Sequence, residues 1–180
     1  MRVIAGAHRG RRLVAPDTDD TRPVTDRVKE SIFSSLAGRV GEARVADLYA
    51  GAGSFGIEAL SRGARSVTFV ENGRRAIEAL RTNLDALHLE GVVVRRRVED
   101  FIADTDDRFD LVFCDPPWPL ASSDLQRVLE AVRPHLEGDA IVVVTRRASD
   151  AVPAPAGLRI DDERRMGDTR IIRYANMDSP

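Results

Sequence analysis

The chain has 180 residues, 43% hydrophobic and 31% charged, the proportions of one ordinary globular domain with a sizeable core. Lys+Arg totals 27 against 29 for Asp+Glu, a formal net charge of −2, which excludes a global electrostatic attraction to nucleic acid. One cysteine excludes an internal disulfide, three scattered histidines offer no metal spacing, and no apolar run nears the roughly 18 residues of a membrane span. The N-terminus lacks a signal-peptide apolar stretch, so a cytoplasmic enzyme or binding protein without a metal is expected.

Residues 2–15, RVIAGAHRGRRLVA, read as two short strands joined around Ala7–Gly10, with Gly6 and Gly10 bracketing a polar turn, hence a small hairpin. Arg2, Arg9, Arg11 and Arg12 stand there with no acid among residues 2–12, a local basic patch on a near-neutral chain. Lys29 is the single lysine; so strong a preference for arginine is a compositional bias and does not by itself argue for RNA. The polar run 17–24 is a connector. Thr25-Asp26 then offers an N-cap to a helix whose Val28, Ile32, Phe33 and Leu36 recur at helical spacing and which ends at Gly38. The expected division is an N-terminal extension and connector over 1–24 and a main domain over 25–180.

From residue 43 the rhythm becomes strand, turn, helix, repeated. Strands are expected at 43–50, 66–71, 92–99, 109–115 and 140–146, with helices around 55–62, 74–88 and 122–136. Residues 151–157 are a loop, and LRIDDERRMG and DTRIIRYAN are two antiparallel strands that finish the sheet. Alternating strands and helices imply an α/β fold, a Rossmann-like, doubly wound, mostly parallel sheet covered on both faces. Arg95, Arg96 and Arg97 cannot all face one way on a strand and read as a solvated sheet edge. Cys114 reads as a small buried apolar residue.

Two stretches carry the chemistry. In DLYAGAGSFG, residues 47–56, Gly51, Gly53 and Gly56 fit G-x-G-x-x-G between a strand and a helix, where free backbone N–H groups and absent side chains let a ligand approach. Glu71 closes the next strand, where a carboxylate can accept both hydroxyls of a ribose. Tyr49 and Asn72 flank these residues and join the candidate cofactor set. Glycine loops of this form serve NAD and S-adenosylmethionine alike. Asp47 shifts the balance: at the end of the first strand a carboxylate repels a pyrophosphate and attracts a sulfonium and an ammonium. Farther on, VEDFIAD follows the third strand, and Asp100, with its neighbour Glu99 as the alternative, can accept from an adenine amino group with Phe101 near the ring.

The second stretch is FDLVFCDPPWPL, residues 109–120, where a buried strand stops at two prolines that neither donate to a ladder nor continue it. The amine of a nucleobase is a poor nucleophile because its lone pair is delocalised into the ring. Acceptors aimed at its two hydrogens favour a pyramidal nitrogen and stabilise positive charge as a methyl arrives. Asp115 supplies one acceptor and the carbonyl of Pro116 the other, with Pro117 keeping that carbonyl rigid. Trp118 offers a face on which an extruded base stacks, worth roughly 1–3 kcal/mol. The blander reading is an Asp-Pro-Pro turn with Trp118 capping the core.

The order D-x-x-x-G-x-G, an acid about 20 residues on, then D-P-P-W, resembles the class I S-adenosylmethionine-dependent amino-methyltransferases. With RVIAGAHRGRRL and RPVTDRVKESIFSSL in front, the chain resembles the bacterial 16S rRNA guanine-N2-methyltransferase family, closely over residues 1–145 and loosely in the tail. The resemblance implies a reversed last strand and an N-terminal hairpin. It also implies methyl transfer from S-adenosylmethionine to the exocyclic N2 of one guanine in 16S rRNA, within an assembled or partly assembled small subunit. It lends RNA contacts to Arg9, Arg11, Arg12, Arg22, Thr25 and Arg27 beside the site. Val24 departs from a threonine-rich form of the extension motif, and Trp118 stands where the family more often has Phe or Tyr. Local chemistry leaves adenine N6 or cytosine N4 open as target amines. An NAD-dependent oxidoreductase and a non-catalytic ribosome-binding module are the competing classes.

Overall fold

A computed structural model of the protein describes residues 1–16 and 25–177; the connector expected at 17–24, Arg22 included, lies outside them. Strands β1 (Arg44–Leu48), β2 (Ser66–Glu71), β3 (Val92–Arg95), β4 (Phe109–Cys114), β5 (Leu136–Arg147), β6 (Leu158–Met166) and β7 (Thr169–Asn176) form one sheet in the order β3-β2-β1-β4-β5-β7-β6. Strands β1 to β5 pair in parallel, whereas β7 runs antiparallel between β5 and β6. The inner strands are near-continuous apolar runs because helices cover both faces. Helices α1 (Asp26–Ser35), α2 (Ser54–Ser61) and α3 (Arg74–Leu87) bury Val45, Phe69, Leu111, Phe113 and Val143 on one side. Helices α4 (Val98–Asp104) and α5 (Ser122–Val132) bury Ala46, Leu48, Val70, Val112 and Val142 on the other. The strand order reverses between β1 and β4, and a crevice opens at the carboxyl edge of such a switch point.

Two expectations need correction. The third strand stops at Arg95, and VEDFIAD is helix α4, not a strand running into a loop. Its Val98, Phe101 and Ile102 are buried at i, i+3, i+4 spacing, so Phe101 belongs to the core and not to an adenine site. The fifth helix ends at Val132, passes into a short 3-10 turn containing Pro134, and β5 begins directly at Leu136. The N-terminal hairpin is present and short: around the Arg2–Arg12 bridge, Val3 N donates to the Arg11 carbonyl at 2.9 Å, Gly10 N to the Val3 carbonyl at 2.9 Å and Leu13 N to the Met1 carbonyl at 3.1 Å.

The hairpin is fastened to the main domain by side chains of α1 and α2. The amides of Ile4 and Ala5 donate to the two carboxylate oxygens of Glu58 in α2 at 2.7 and 3.0 Å. Glu58 also receives Arg62 Nε at 2.8 Å and lies 3.5 Å from Lys29 Nζ, with the Lys29 and Glu58 side chains both fully buried. Lys29 donates in turn to the Arg2 carbonyl at 2.5 Å. Burial lowers the Lys29 pKa, and the Glu58 charge opposes that shift. A compact ammonium with three donors suits this enclosed corner better than a planar guanidinium, which accounts for the one lysine in a chain that otherwise uses arginine. Val3 and Leu13 complete the attachment by entering the same core cluster as Phe33 and Phe69.

Candidate active site

The glycine loop joins β1 to α2 at the carboxyl edge. Tyr49 opens it at φ +59°, a strained value for a bulky side chain, and its hydroxyl donates to Glu99 Oε1 at 3.4 Å across the gap to α4. Gly51 follows at φ +57°, with open space where a side chain would stand. Gly53 caps α2 at φ +84°, and a Cβ there would come within 2.4 Å of Leu80. At Gly56 a Cβ would meet the Phe69 ring at 2.2 Å. The three glycines therefore divide their work: Gly51 keeps the approach clear, while Gly53 and Gly56 let α2 pack on α3 and β2.

Carboxylates brace this loop from below. Glu71 Oε2 accepts from Gly51 N at 2.9 Å, and its Oε1 accepts from Asn72 N and Gly73 N at 2.8 and 2.7 Å. A carboxylate has about four acceptor sites, so three amides leave room for a hydroxyl. Asp47 is 1% exposed; Oδ2 accepts from Gly56 N at 2.8 Å, and Oδ1 is buried with no partner. Burial pushes its pKa well up against the pull of the Gly56 amide, and the charges of Asp115 and Glu71 push the same way. Glu99 and Asp100 sit exposed in the first turn of α4, on the same edge.

Asp115 follows β4 and stands half-buried. The parallel register sets Cys114 opposite Val144, which carries Thr145 alongside Asp115. The Thr145 hydroxyl donates to Asp115 Oδ1 in a short hydrogen bond. Burial pushes the Asp115 pKa up to about 6, while Thr145 and the Arg146 charge pull it down. Arg146 is itself buried, donates to the Leu120 carbonyl at 2.7 Å and pairs with Asp150 at 2.8 Å. The Pro117 carbonyl is taken by Leu120 N at 3.0 Å, which closes the turn after the two prolines. Trp118 does not cap the core: it is half-buried, and the guanidinium of Arg147 lies 4.2 Å over its ring. A cavity of about 480 Å³ opens above Asp115 and Thr145, walled by Trp118, by Thr25 at the N-cap of α1 with Arg27 and Val28 of that helix, and by residues 165–169 at the tip of the β6–β7 hairpin. None of Thr145, Arg146 and Arg147 was singled out from the sequence, nor was the β6–β7 turn.

The N-terminal arginines are not gathered at this cavity. Arg11 donates to the Ala86 carbonyl in the last turn of α3, and the Ala7 amide donates to the carbonyl of Ser61, the last residue of α2. Both helices start at the carboxyl edge and run away from it; at 1.5 Å per residue, Ala86 lies about 18 Å along α3 from its start. Arg9 and Arg11 thus sit toward the opposite edge. Arg12 is bridged to Arg2, whose side chain reaches Asp26 in α1 at 2.8 Å, so it lies nearer α1. Of the RNA set, Thr25 and Arg27 line the cavity.

The sequence matches the family model described as Conserved hypothetical protein 95 over residues 1–175. Ribosomal RNA small subunit methyltransferase D of Escherichia coli strain K12 is 33% identical over 169 residues, which span 93% of this chain and 85% of that protein. The Haemophilus influenzae protein of the same name is 31% identical over 98% of this chain and 94% of its own length. The solved structure of yhhF from Escherichia coli superposes with a TM-score of 0.87 at 30% identity, covering 98% of this chain and 97% of that one. These matches run from the extension through β7 and take in the glycine loop and the Asp-Pro-Pro-Trp turn; the chain belongs to the family of ribosomal RNA small subunit methyltransferase D.

Proposed function

We propose that the protein transfers a methyl group from S-adenosylmethionine to the exocyclic N2 amine of a guanine in 16S rRNA, presented by an assembled or partly assembled small ribosomal subunit in the cytoplasm. The observation that carries the reading is the Asp115 carboxylate, braced by Thr145 beneath the Trp118 wall of a nucleotide-sized cavity, with the carboxylates of Asp47 and Glu71 bound to the amides of the neighbouring glycine loop. Such a field attracts a sulfonium and an ammonium and repels a pyrophosphate, which favours S-adenosylmethionine over NAD. The family membership supports the rRNA substrate, since the relatives carry it in their names.

The residues fit the cofactor. The partnerless Asp47 Oδ1 is an acceptor in search of a cation or donor, and the open space at Gly51 admits a ligand to the loop. Glu71 retains acceptor capacity for a ribose hydroxyl, and Glu99, Asp100, Tyr49 and Asn72 border the adenosine end. S-adenosylmethionine, when bound, supplies an electrophilic methyl group. The work of the chain is then to present the amine: Asp115 and the Pro116 carbonyl accept its two N–H groups, and Trp118 stacks the ring. As N2 gains the methyl it becomes acidic, and the Asp115 carboxylate, with a pKa of about 6, takes its proton.

The test is methyl incorporation from labelled S-adenosylmethionine into small subunits from cells lacking the gene, with mapping of the modified base. Incorporation at N2 of a guanine, lost in Asp115→Ala while cofactor affinity persists, is expected. A label on adenine or cytosine, or binding of NAD in place of S-adenosylmethionine, overturns the assignment.

A further inference from the structure

The tip of the β6–β7 hairpin contributes five residues, Arg165 to Thr169, to the wall of the Asp115 cavity, although it is remote from both sequence motifs. The register pairs Met166 with Thr169, so the turn itself is only Gly167-Asp168, with Gly167 at φ +59° as a two-residue hairpin loop requires. The turn is pinned to the end of β5: Ala148 N donates to the Asp168 carbonyl at 2.8 Å, and Arg170 donates to the Ala148 carbonyl at 2.7 Å. It is a short, rigid projection held beside the Arg147–Trp118 stack.

Most arginines of this hairpin are matched by its own acids: Arg164 with Asp162, Arg170 with Glu163, and Arg159 and Arg173 with Asp161. Arg165 differs. It is exposed, reaches the Gly167 carbonyl of its own turn at 3.5 Å, and lines the same cavity as the exposed Arg27 of α1. The same wall carries the carboxylates of Asp115, toward the floor, and Asp168, in the turn, so Arg27 and Arg165 are exposed cations on opposite elements of a mixed rim. At about 480 Å³ the cavity is within the range of small-ligand sites, roughly 300–1,000 Å³. A nucleotide whose base stacks on Trp118 carries phosphates on both sides, and planar guanidiniums suit them.

We infer that the tip of the β6–β7 hairpin is an RNA-gripping jaw: Arg165 from the end of β6 and Arg27 from α1 hold the phosphates flanking the nucleotide whose base enters the Asp115 cavity. This rests on the proposed function for the identity of the nucleic acid. The turn thereby sets how the target is delivered, a task the sequence alone gives to the N-terminal arginines.

The experiment is co-sedimentation of the full chain with small subunits from cells lacking the gene, across a series of KCl concentrations, beside methyl incorporation on the same subunits. Arg165→Ala should weaken binding several-fold and reduce the slope of log affinity against log salt by roughly one, as for the loss of one phosphate contact. Arg165→Glu should weaken it more, and Arg165→Lys should restore most of the salt slope. Thermal unfolding of each variant should match the unaltered protein, because the side chain is exposed at the end of β6. Binding and salt slope unchanged in both Arg165→Ala and Arg165→Glu overturn the jaw, whether or not methylation is seen. Unaltered protein that binds subunits without methylating them would instead overturn the proposed reaction and leave the jaw to be decided by sedimentation.

Discussion

The N-terminal extension and the β6–β7 hairpin are both arginine-bearing additions to the five parallel strands, and they are attached in opposite ways. The extension spends its backbone amides and the Arg2 carbonyl on a buried Glu58–Lys29 pair, and its tip lies by the far ends of α2 and α3. The hairpin is fastened through the β5 ladder and leaves its turn on the rim of the Asp115 cavity. Local charge is greater in the extension, yet position gives the hairpin access to the reacting atoms. A basic cluster in a sequence therefore says little about a site until the anchoring of its backbone is known.

The comparison breaks most visibly at Glu58. Glu58→Ala strands the Lys29 ammonium and two amides, and should destabilise the fold by about 3–5 kcal/mol, read as a lowered midpoint in denaturant. Asp115→Ala belongs to the other region and should leave that midpoint nearly unchanged while slowing methyl transfer by roughly 10²–10³-fold in single turnover. If Asp115→Ala cost stability and Glu58→Ala only activity, the division between anchor and site would be reversed.

A pH profile sharpens the site half. Asp115 can take the proton of the amine only when ionised, and its pKa is pushed up to about 6, so the rate should climb as pH rises through about 6 and then level off. The Thr145 hydroxyl stabilises the ionised form. Thr145→Val should therefore move this acid limb to higher pH by about one unit, and Thr145→Ser should return it. An acid limb that stays in place in Thr145→Val would remove Thr145 from the support of Asp115. The smallest effect is expected in the extension: Arg9→Ala with Arg11→Ala should weaken subunit binding by less than Arg165→Ala alone, as measured by sedimentation at one salt concentration.

Much of this was legible in the sequence for a physical reason. The β1 and β2 core runs, the glycine loop and the Pro-Pro stop are encoded within a few neighbouring residues, and strand β2 falls at 66–71 as read. Helix α4 was hidden because the arginines of 95–97 and the acids at 99 and 100 obscured the spacing of Val98, Phe101 and Ile102. Thr145 was hidden differently: it lies 30 residues from Asp115 in an apolar run, and only the β4–β5 register brings hydroxyl to carboxylate. Nothing in the sequence distinguishes Arg165 from the other arginines of its hairpin; the pairing of Arg164, Arg170 and Arg173 along β6 and β7 does. Gly53 and Gly56 matched a ligand motif, and their packing against Leu80 and Phe69 shows how the same residues serve the fold.

The buried Lys29 also has a use at the bench. It is the chain's single lysine, and its side chain is fully enclosed in the folded protein. A reagent that acylates ε-amines thus finds its target only when the extension peels away from α1 and α2. The rate of Lys29 acylation, followed by mass spectrometry, would time that local opening directly, with no competing lysine signal to subtract.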